Sequence, residues 1–540
     1  MRHRTGLIAV GAALTTAAVT FVAVPTASWA APAARPSPGR IDVSRLSSGG
    51  RAWFLGPQTA TAQPSAANRI AFGRNVDAND PQGDLAAGQS ETAIAASGST
   101  VVVAWNDASG VLVAPSTDRR ASITGVGLST DRGRTFRDLI GLRNDNPNQQ
   151  WFGDPSVVAI DAHHFAIGGL YAPAFAPNCA SGPARLQLAV EIVTIDPAGA
   201  ASFGPPVVTA DGGDVCAPQA GNPPPDIAFL DKDWLSYDSH SRVMAMSYSR
   251  MFFGIGSQSG TGQVELVRAR VPDDPATLGT SAWGPPTIVW PEEPRVANTG
   301  AYVSVAPNGD AYVSWERNVG SNLFNGDPLV YIHAARVAAD DTSPVVGGPA
   351  QPRVVSLGQR NASPSGGVKS LDAVAIVGYN RGLGQDFPRI AVDAPLGTVI
   401  VVWNDASAHP LGDIWMRALP MDLTIGGRID KVNDDNSFAL HFLPAVSVRD
   451  DGSIATSWYD RRIGGANSAT TDYFSEIRAT ATTPARDVRI TTGSTDWVNT
   501  SSLIGPNFGD YTDNASSDTT TYFTWSDGRI GVPQPFVDHR

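Results

Sequence analysis

Seven times along this chain a short strand-like run ends in an aromatic residue followed by a small polar, often acidic, cluster. Five copies are plain: Val101–Ser109, Ala311–Asn318, Val399–Ser407, Ile454–Arg462 and Tyr522–Arg529. Phe165–Pro173 and Arg242–Arg250 are weaker copies. The aromatic residues Trp105, Tyr171, Tyr248, Trp315, Trp403, Trp458 and Trp525 fall about 55 to 90 residues apart. A β unit repeated at so long a period can bury its face only against its neighbours, which points to a radial array of small sheets.

Each unit reads as four strands. The first is an alternating run: Thr92–Ser97, Ser156–Asp161, Ala301–Pro307, Arg389–Ala394 and Ala445–Asp450. Turns such as Asn308-Gly309 and Asp451-Gly452 join it to the aromatic strand, a hairpin signal. Third and fourth strands show as Asp413–Asp422 with Arg428–Asp435, and as Ser475–Thr482 with Asp487–Gly493. The fourth recurs at Ser202–Asp211 and Ala282–Pro291, and no segment sustains a helical period. The last unit runs out of chain after a third strand at Gln534–Arg540, while Asn68–Asp80, ahead of the first unit, reads like a fourth strand. Pairing the two would close the ring and remove its exposed edges. The expectation is an all-β protein, a β-propeller of four-stranded blades. Seven blades are preferred, and six is the alternative if Phe165–Pro173 is only an insertion.

Arg2 and Arg4 precede the apolar stretch Leu7–Val24, and Ser28-Trp29-Ala30 supplies small residues suited to signal peptidase. Residues 1–30 therefore read as a signal peptide of a secreted, extracellular protein, an uncleaved anchor being the alternative. Residues 31–67 read as a Pro/Ala/Ser-rich flexible leader, and 68–540 as a single propeller domain. No later segment reaches the ~20 apolar residues of a spanning helix, so no membrane insertion is expected after cleavage. The chain has 39 basic and 51 acidic residues, a net charge of −12, which argues against nucleic acid or an anionic membrane as partner. A monomer is expected. Cys179 and Cys216 are the only cysteines; in an exported chain they are expected to form one disulfide, two free thiols being the alternative.

Ser129-Thr130-Asp131-Arg132-Gly133-Arg134-Thr135-Phe136 fits the pattern S-x-D-x-G-x-T-W/F. In physical terms it is a hairpin in which Ser129, Asp131 and Thr135 can bond turn backbone and Gly133 takes a positive φ, with Phe136 packing between blades. With Phe152–Val158, Asp231–Asp238, Phe442–Val448 and Asn507–Asp513, the motif resembles the Asp-box of secreted sialidases and bacterial-neuraminidase-repeat propellers, over about residues 68–540. The resemblance implies that Asp131 is structural, on the face away from substrate.

In such a propeller, segments entering the first strand and leaving the second emerge on one face. Entering segments bring Asp154, Asp231, Asp233, Asp386, His441 and Asp510. Leaving segments bring Asp107, Glu316, Arg317, Asp405, Asp460, Arg461, Asp527 and Arg529. Side chains there can serve chemistry, or can simply satisfy turns and pair between blades. The sialidase resemblance implies three arginines on a substrate carboxylate, an Asp acid/base and a Tyr nucleophile assisted by Glu. Arg389, Arg461 (or Arg462) and Arg529 are the candidate arginines. Asp107, Asp460 and Asp510 are the candidate acids, Tyr459 and Tyr511 the candidate nucleophiles, and Glu316 the candidate glutamate. The family's F-R-I-P signature is missing from the first unit, where Gly88–Ala96 carries Glu91 and no arginine. The implied activity is glycoside hydrolysis on sialylated or other glycans. A non-catalytic propeller binding glycan or extracellular protein, and a structural scaffold, are the alternatives. No cofactor is required, although the Asn433–Asn436 turn carries hard oxygen ligands of the kind calcium takes.

Overall fold

The computed structural model describes residues 73–540 except 80–86, 114–115, 148, 175–184, 215–226, 254–260, 294–295, 320–328, 341–354, 357–367, 370–375, 381–386, 407–410, 425–427, 466–467 and 504. They form seven antiparallel sheets, one for each sequence repeat. The inner strands, in ring order, are Gln89–Ser97, Ser156–Ala159, Ile227–Asp238, Val296–Val305, Arg389–Asp393, His441–Val448 and Asp513–Ser517. Each pairs with an aromatic-bearing second strand: Thr100–Asp107, His164–Ala174, Val243–Phe253, Ala311–Val319, Thr398–Asp405, Ile454–Asp460 and Thr520–Asp527. Helix among the described residues is limited to 3-10 turns such as Ala108–Leu112. The protein is a seven-bladed β-propeller, and the unit around Tyr171 is a blade rather than an insertion.

The ring closes as the termini indicate. Val76–Asp77 supplies the fourth strand of the seventh blade, with Val76 opposite Val537 and Asp77 opposite Phe536. Asn75 Nδ2 adds a 2.8 Å hydrogen bond to Asp538. The seven repeat aromatics are all buried, so each blade presents one large flat side chain to its neighbour.

Serines stitch the blades. An inner strand is paired on one edge only, so its contact with the next blade is left to side chains. Ser236 Oγ accepts from Val305 N–H, and Ser304 Oγ from Val392 N–H, each at 3.0 Å. The Ser447 and Ser516 hydroxyls bond each other at 2.8 Å. Higher up, the serine before the repeat aromatic reaches forward: Ser247 Oγ donates to Ala301 C=O at 2.9 Å, and Ser314 Oγ to Pro388 C=O at 3.3 Å. Around the axis a cavity of about 320 Å³ takes part of its wall from every inner strand.

The Ser129–Phe136 turn joins the third and fourth strands of the first blade. Asp131 accepts from the backbone of Arg134 (3.0 Å) and Thr135 (2.9 Å) and from the Thr135 hydroxyl (2.7 Å). Ser129 Oγ accepts from Gly133 N–H at 2.9 Å, and Gly133 has φ +75°. Half-buried Phe136 packs with Tyr522 between the first and seventh blades. Cys179 and Cys216 lie outside the described residues.

A chain beginning at residue 80 leaves the seventh blade with three strands. Its melting temperature is expected to fall by ~5 °C or more, with a tendency to associate through the bared edge. Scanning fluorimetry and size-exclusion chromatography measure both, and an unchanged melting temperature would place ring closure elsewhere.

Candidate functional site

Four inner strands bulge at one position, where two residues oppose the single repeat aromatic. Glu91-Thr92 faces Trp105, Lys232-Asp233 faces Tyr248, Gly300-Ala301 faces Trp315 and Leu443-Pro444 faces Trp458. The first residue of each pair is left-handed, with φ of 53°, 58°, 65° and 51°. Asp154, at the mouth of the second blade, has φ 55°. Holding a non-glycine residue there costs about 1–2 kcal/mol. A bulge re-aims its side chain, and in the first and third blades it turns Glu91 and Lys232 into one field with Asp154.

Lys232 Nζ pairs with the carboxylate of Asp510. Asn106 Nδ2 donates to Glu91 and, at 3.4 Å, to Asp154, while Asn106 Oδ1 accepts from Asp154 N–H at 2.6 Å. Asp510 N–H donates to Glu91 Oε1 at 3.0 Å, and the Tyr379 hydroxyl donates to Asp510 Oδ1 at 2.9 Å. Two glycines permit these approaches. A Cβ on Gly509 would sit 2.6 Å from Glu91 Cγ, and one on Gly153 would collide with Asn106; both have positive φ.

Glu91, Asp154, Asp231 and Asp510 are buried within the field of the buried Lys232 ammonium, and Asp233 is buried near Asp154 and Asp231. Burial alone would push Lys232 down, but Asp510, Asp231, Glu91 and Asp154 outweigh it and hold the lysine charged. Asp233 is the opposite case. Burial, then repulsion from Asp154 and Asp231, lifts its carboxyl well above the usual range. Neither Asp233 oxygen has a hydrogen-bond partner. One small volume therefore contains a carboxyl whose proton affinity is raised and a carboxylate, Asp510, held against a cation.

The other sequence candidates occupy separate settings. Asp107 accepts from Gln89 Nε2 at 3.2 Å and caps the Ser109 N–H at 2.9 Å. Asp460 and Asp527 share one latch, each accepting from the indole two residues earlier, Trp458 (2.9 Å) or Trp525 (2.8 Å), and from the arginine two later, Arg462 or Arg529 (both 2.9 Å). Arg461 donates to Thr471 Oγ1 (3.0 Å), Ser468 C=O (2.9 Å) and Val377 C=O (2.9 Å), and burial lowers it to about 10. Arg389 donates to Asp513 (2.7 Å) and Thr512 C=O (2.9 Å), sandwiched 3.9 Å from the Trp234 ring and 4.2 Å from that of Tyr302. The Tyr459 hydroxyl exchanges hydrogen bonds with the backbone of Ser526, and that of Tyr511 donates to Pro155 C=O at 2.9 Å; burial raises both phenols. Glu316 is buried, accepting from Asn318 at 3.4 Å. Of the nine candidates Asp510 lies in the lysine cluster and Tyr511 borders it, within the field of Asp154, Glu91 and Asp233, whereas Arg389, Arg461 and Arg529 do not converge. Asp386 lies outside the described residues.

Sequence reading missed Lys232, Asn106 and Tyr379, and noted Glu91 only as a missing arginine. A signal for the lysine was present: it is one of three in the chain and stands between Asp231 and Asp233.

A second charged network joins the fifth and sixth blades. Fully buried His441 lies 3.1 Å from Asp435, 3.4 Å from Asp460 and 3.9 Å from Asp413, with Nδ1 bonded to Gly412 C=O at 3.0 Å. Arg462 bridges Asp434, Asp435, Asp460 and Asp487. The Asn433–Asn436 turn thus places two of its acids against Arg462 and His441. Among the described residues no group of three or more His, Cys, Asp or Glu is arranged to hold a metal ion, and no helix is long and apolar enough to cross a membrane.

No protein-family model and no curated protein matches the chain. Solved structures that match include an α-L-arabinofuranosidase of Fusarium graminearum with arabinobiose (12% identity, 72% of this chain and 92% of that one, TM-score 0.41). Others are an α-L-arabinanase of Penicillium chrysogenum (12%, 78% and 99%, 0.40) and a sialidase of Trypanosoma rangeli (11%, 88% and 59%, 0.39). At these values the likeness bears on neither substrate nor residue roles.

Replacing Lys232 with Met leaves the carboxylates uncompensated and is expected to cost ~3–5 kcal/mol at pH 7, with recovery as pH falls and they protonate. Denaturant unfolding at pH 7 and pH 4.5 checks this, and equal losses at both would contradict it. His441 gives a second pH dependence. Burial opposes its charge, but Asp435 and Asp460 prevail and raise it, so its stabilisation is full below 6.5 and fades as pH rises through the raised value. Burial would raise Asp435, yet His441 prevails and lowers it, so its contribution is present above 3.8 and lost on acidification. Stability from this pair peaks in mild acid, and His441→Gln should flatten the alkaline decline in a melting-temperature profile.

Proposed function

We propose that this chain is a propeller glycoside hydrolase, exported through residues 1–30, acting at the carboxylate cluster around Lys232. One observation carries the reading: in one buried cluster Asp233 stands among like charges without a hydrogen-bond partner, while Asp510 is paired with the Lys232 ammonium. Glycoside cleavage asks for that division of labour, one carboxylic acid to protonate the leaving oxygen and one carboxylate on the developing cation or on water. Asp233, short of partners, is the acid. Asp510, fixed by Lys232 and the Tyr379 hydroxyl, is the carboxylate. Glu91, Asp154 and Asp231 add negative field where an oxocarbenium-like transition state carries positive charge. Cleavage consumes one water and returns Asp233 to its protonated state.

The same charge selects the substrate. Five carboxyl groups and one ammonium repel an anionic sugar, and Arg389 and Arg529 are already engaged by Asp513 and Asp527. A neutral glycan fits this field better than a sialoside. The second reading, a non-catalytic propeller that binds glycan or protein, draws support from the internal hydrogen bonds and ion pair that hold Glu91, Asp154 and Asp510.

The test is turnover of fluorogenic neutral glycosides and a sialoside by the exported chain. Asp233→Asn is expected to lower kcat by ~10²–10⁴-fold and to abolish the alkaline limb of the kcat/KM profile, with the melting temperature retained. Asp510→Asn should lower kcat comparably. Full activity in both variants would refute the assignment, and a folded protein inactive on every glycoside would favour the binding reading.

A further inference from the structure

The internal repeat supplies its own control for a second site. In the third strand, the residue opposite the repeat aromatic is Trp415 in the fifth blade, Phe474 in the sixth and Phe536 in the seventh. The first three blades place Gly125, Gln187 and Glu265 there, so Trp or Phe fills the slot only in the last three. In the fourth blade it holds His333, opposite Trp315, with ring centroids 5.2 Å apart and planes 15° from parallel. His333 is 8% exposed, and neither ring nitrogen has a hydrogen-bond partner. Two unmet polar atoms on one buried ring, at a place where the fifth to seventh blades put Trp or Phe, are a standing cost that a ligand would relieve.

The surroundings say what kind of ligand. Trp290, from the outer strand of the third blade, lies 5.5 Å from His333, and Tyr331 lies 6.5 Å away; both are only half-buried. Glu293 accepts from Trp290 Nε1 at 2.6 Å and from Arg317 Nε at 2.8 Å, and Arg317 lies 5.6 Å from the Tyr331 ring. This is a half-buried aromatic cluster where two blades meet, flanked by a carboxylate and a guanidinium that pair with each other. Burial, then Arg317, lowers His333 to about 4, so the imidazole is neutral at pH 7 and offers one donor and one acceptor.

We infer that the aromatic cluster around Trp290 and His333 is a second binding site, independent of the axial cluster, for a neutral saccharide. A sugar ring lays its C–H face on the half-exposed aromatic rings. Two of its hydroxyls satisfy the imidazole, one donating and one accepting. The paired Arg317 and Glu293 leave no net charge for an anionic or cationic ligand.

The experiment titrates the exported chain with neutral di- to tetrasaccharides of glucose, galactose and arabinose, followed by calorimetry and tryptophan fluorescence. At least one is expected to bind saturably. Trp290→Ala and His333→Phe should each weaken that binding by about tenfold or more, while Asp233→Asn retains it. His333→Phe copies the residue of the sixth and seventh blades and keeps the fold testable. Binding untouched by both aromatic-cluster variants, or abolished only by Asp233→Asn, would overturn the proposal. So would the absence of saturable binding accompanied by a higher melting temperature in His333→Phe, which would mark the histidine as a packing defect.

Discussion

A buried ammonium costs several kcal/mol in lost hydration unless carboxylates meet it, and buried carboxylates cost the same unless a cation meets them. At the propeller axis the two needs are solved together. Lys232 holds Asp510 and lies within the field of Asp231, Glu91 and Asp154, and without it the acids of the first three blades and of the Asn507–Asp513 segment would not tolerate one volume. Yet one cation cannot compensate five carboxyl groups. The excess falls on Asp233, whose proton affinity rises. The chemical asymmetry proposed as the working pair follows from the count of charges around the lysine.

That lysine depends on backbone geometry. A regular inner strand would alternate its side chains between the two blade faces. The bulge opposite the repeat aromatic inserts one residue and turns it left-handed, so that Glu91 and Lys232 leave the alternation and converge. The same bulge in the fourth and sixth blades carries Gly300 and Leu443 and no charge. A common scaffold feature has thus been given polar side chains on one side of the ring and inert ones on the other.

The propeller was legible because its determinants are local: alternation, turn residues and an aromatic recurring at each blade. The terminal closure was also readable, since a last unit lacking one strand and a spare strand before the first unit define one pairing. Of the axial acids, Asp154, Asp231, Asp233 and Asp510 could be placed on the right face by topology alone. Lys232 could not be promoted above them, because its role rests on residues up to 278 positions away that only the closed ring brings together. The arginine reading shows the reverse limit. Arg462 and Arg529 follow the repeat aromatic as a ligand-binding arginine would, but so does an arginine that latches Trp-x-Asp-x-Arg, and those two uses share one spelling.

The account turns on the proton of Asp233. Carbon-13 NMR of the protein labelled at aspartate side-chain carboxyls, titrated from pH 4 to pH 8, reads that proton directly. Besides Asp487, which burial raises to about 7, the account predicts an aspartate signal that remains in its protonated form at pH 7, is absent in Asp233→Asn, and shifts toward the ionised form in Asp154→Asn as the repulsion is relieved. An Asp233 carboxyl that titrates near 4 with the surface aspartates would contradict it.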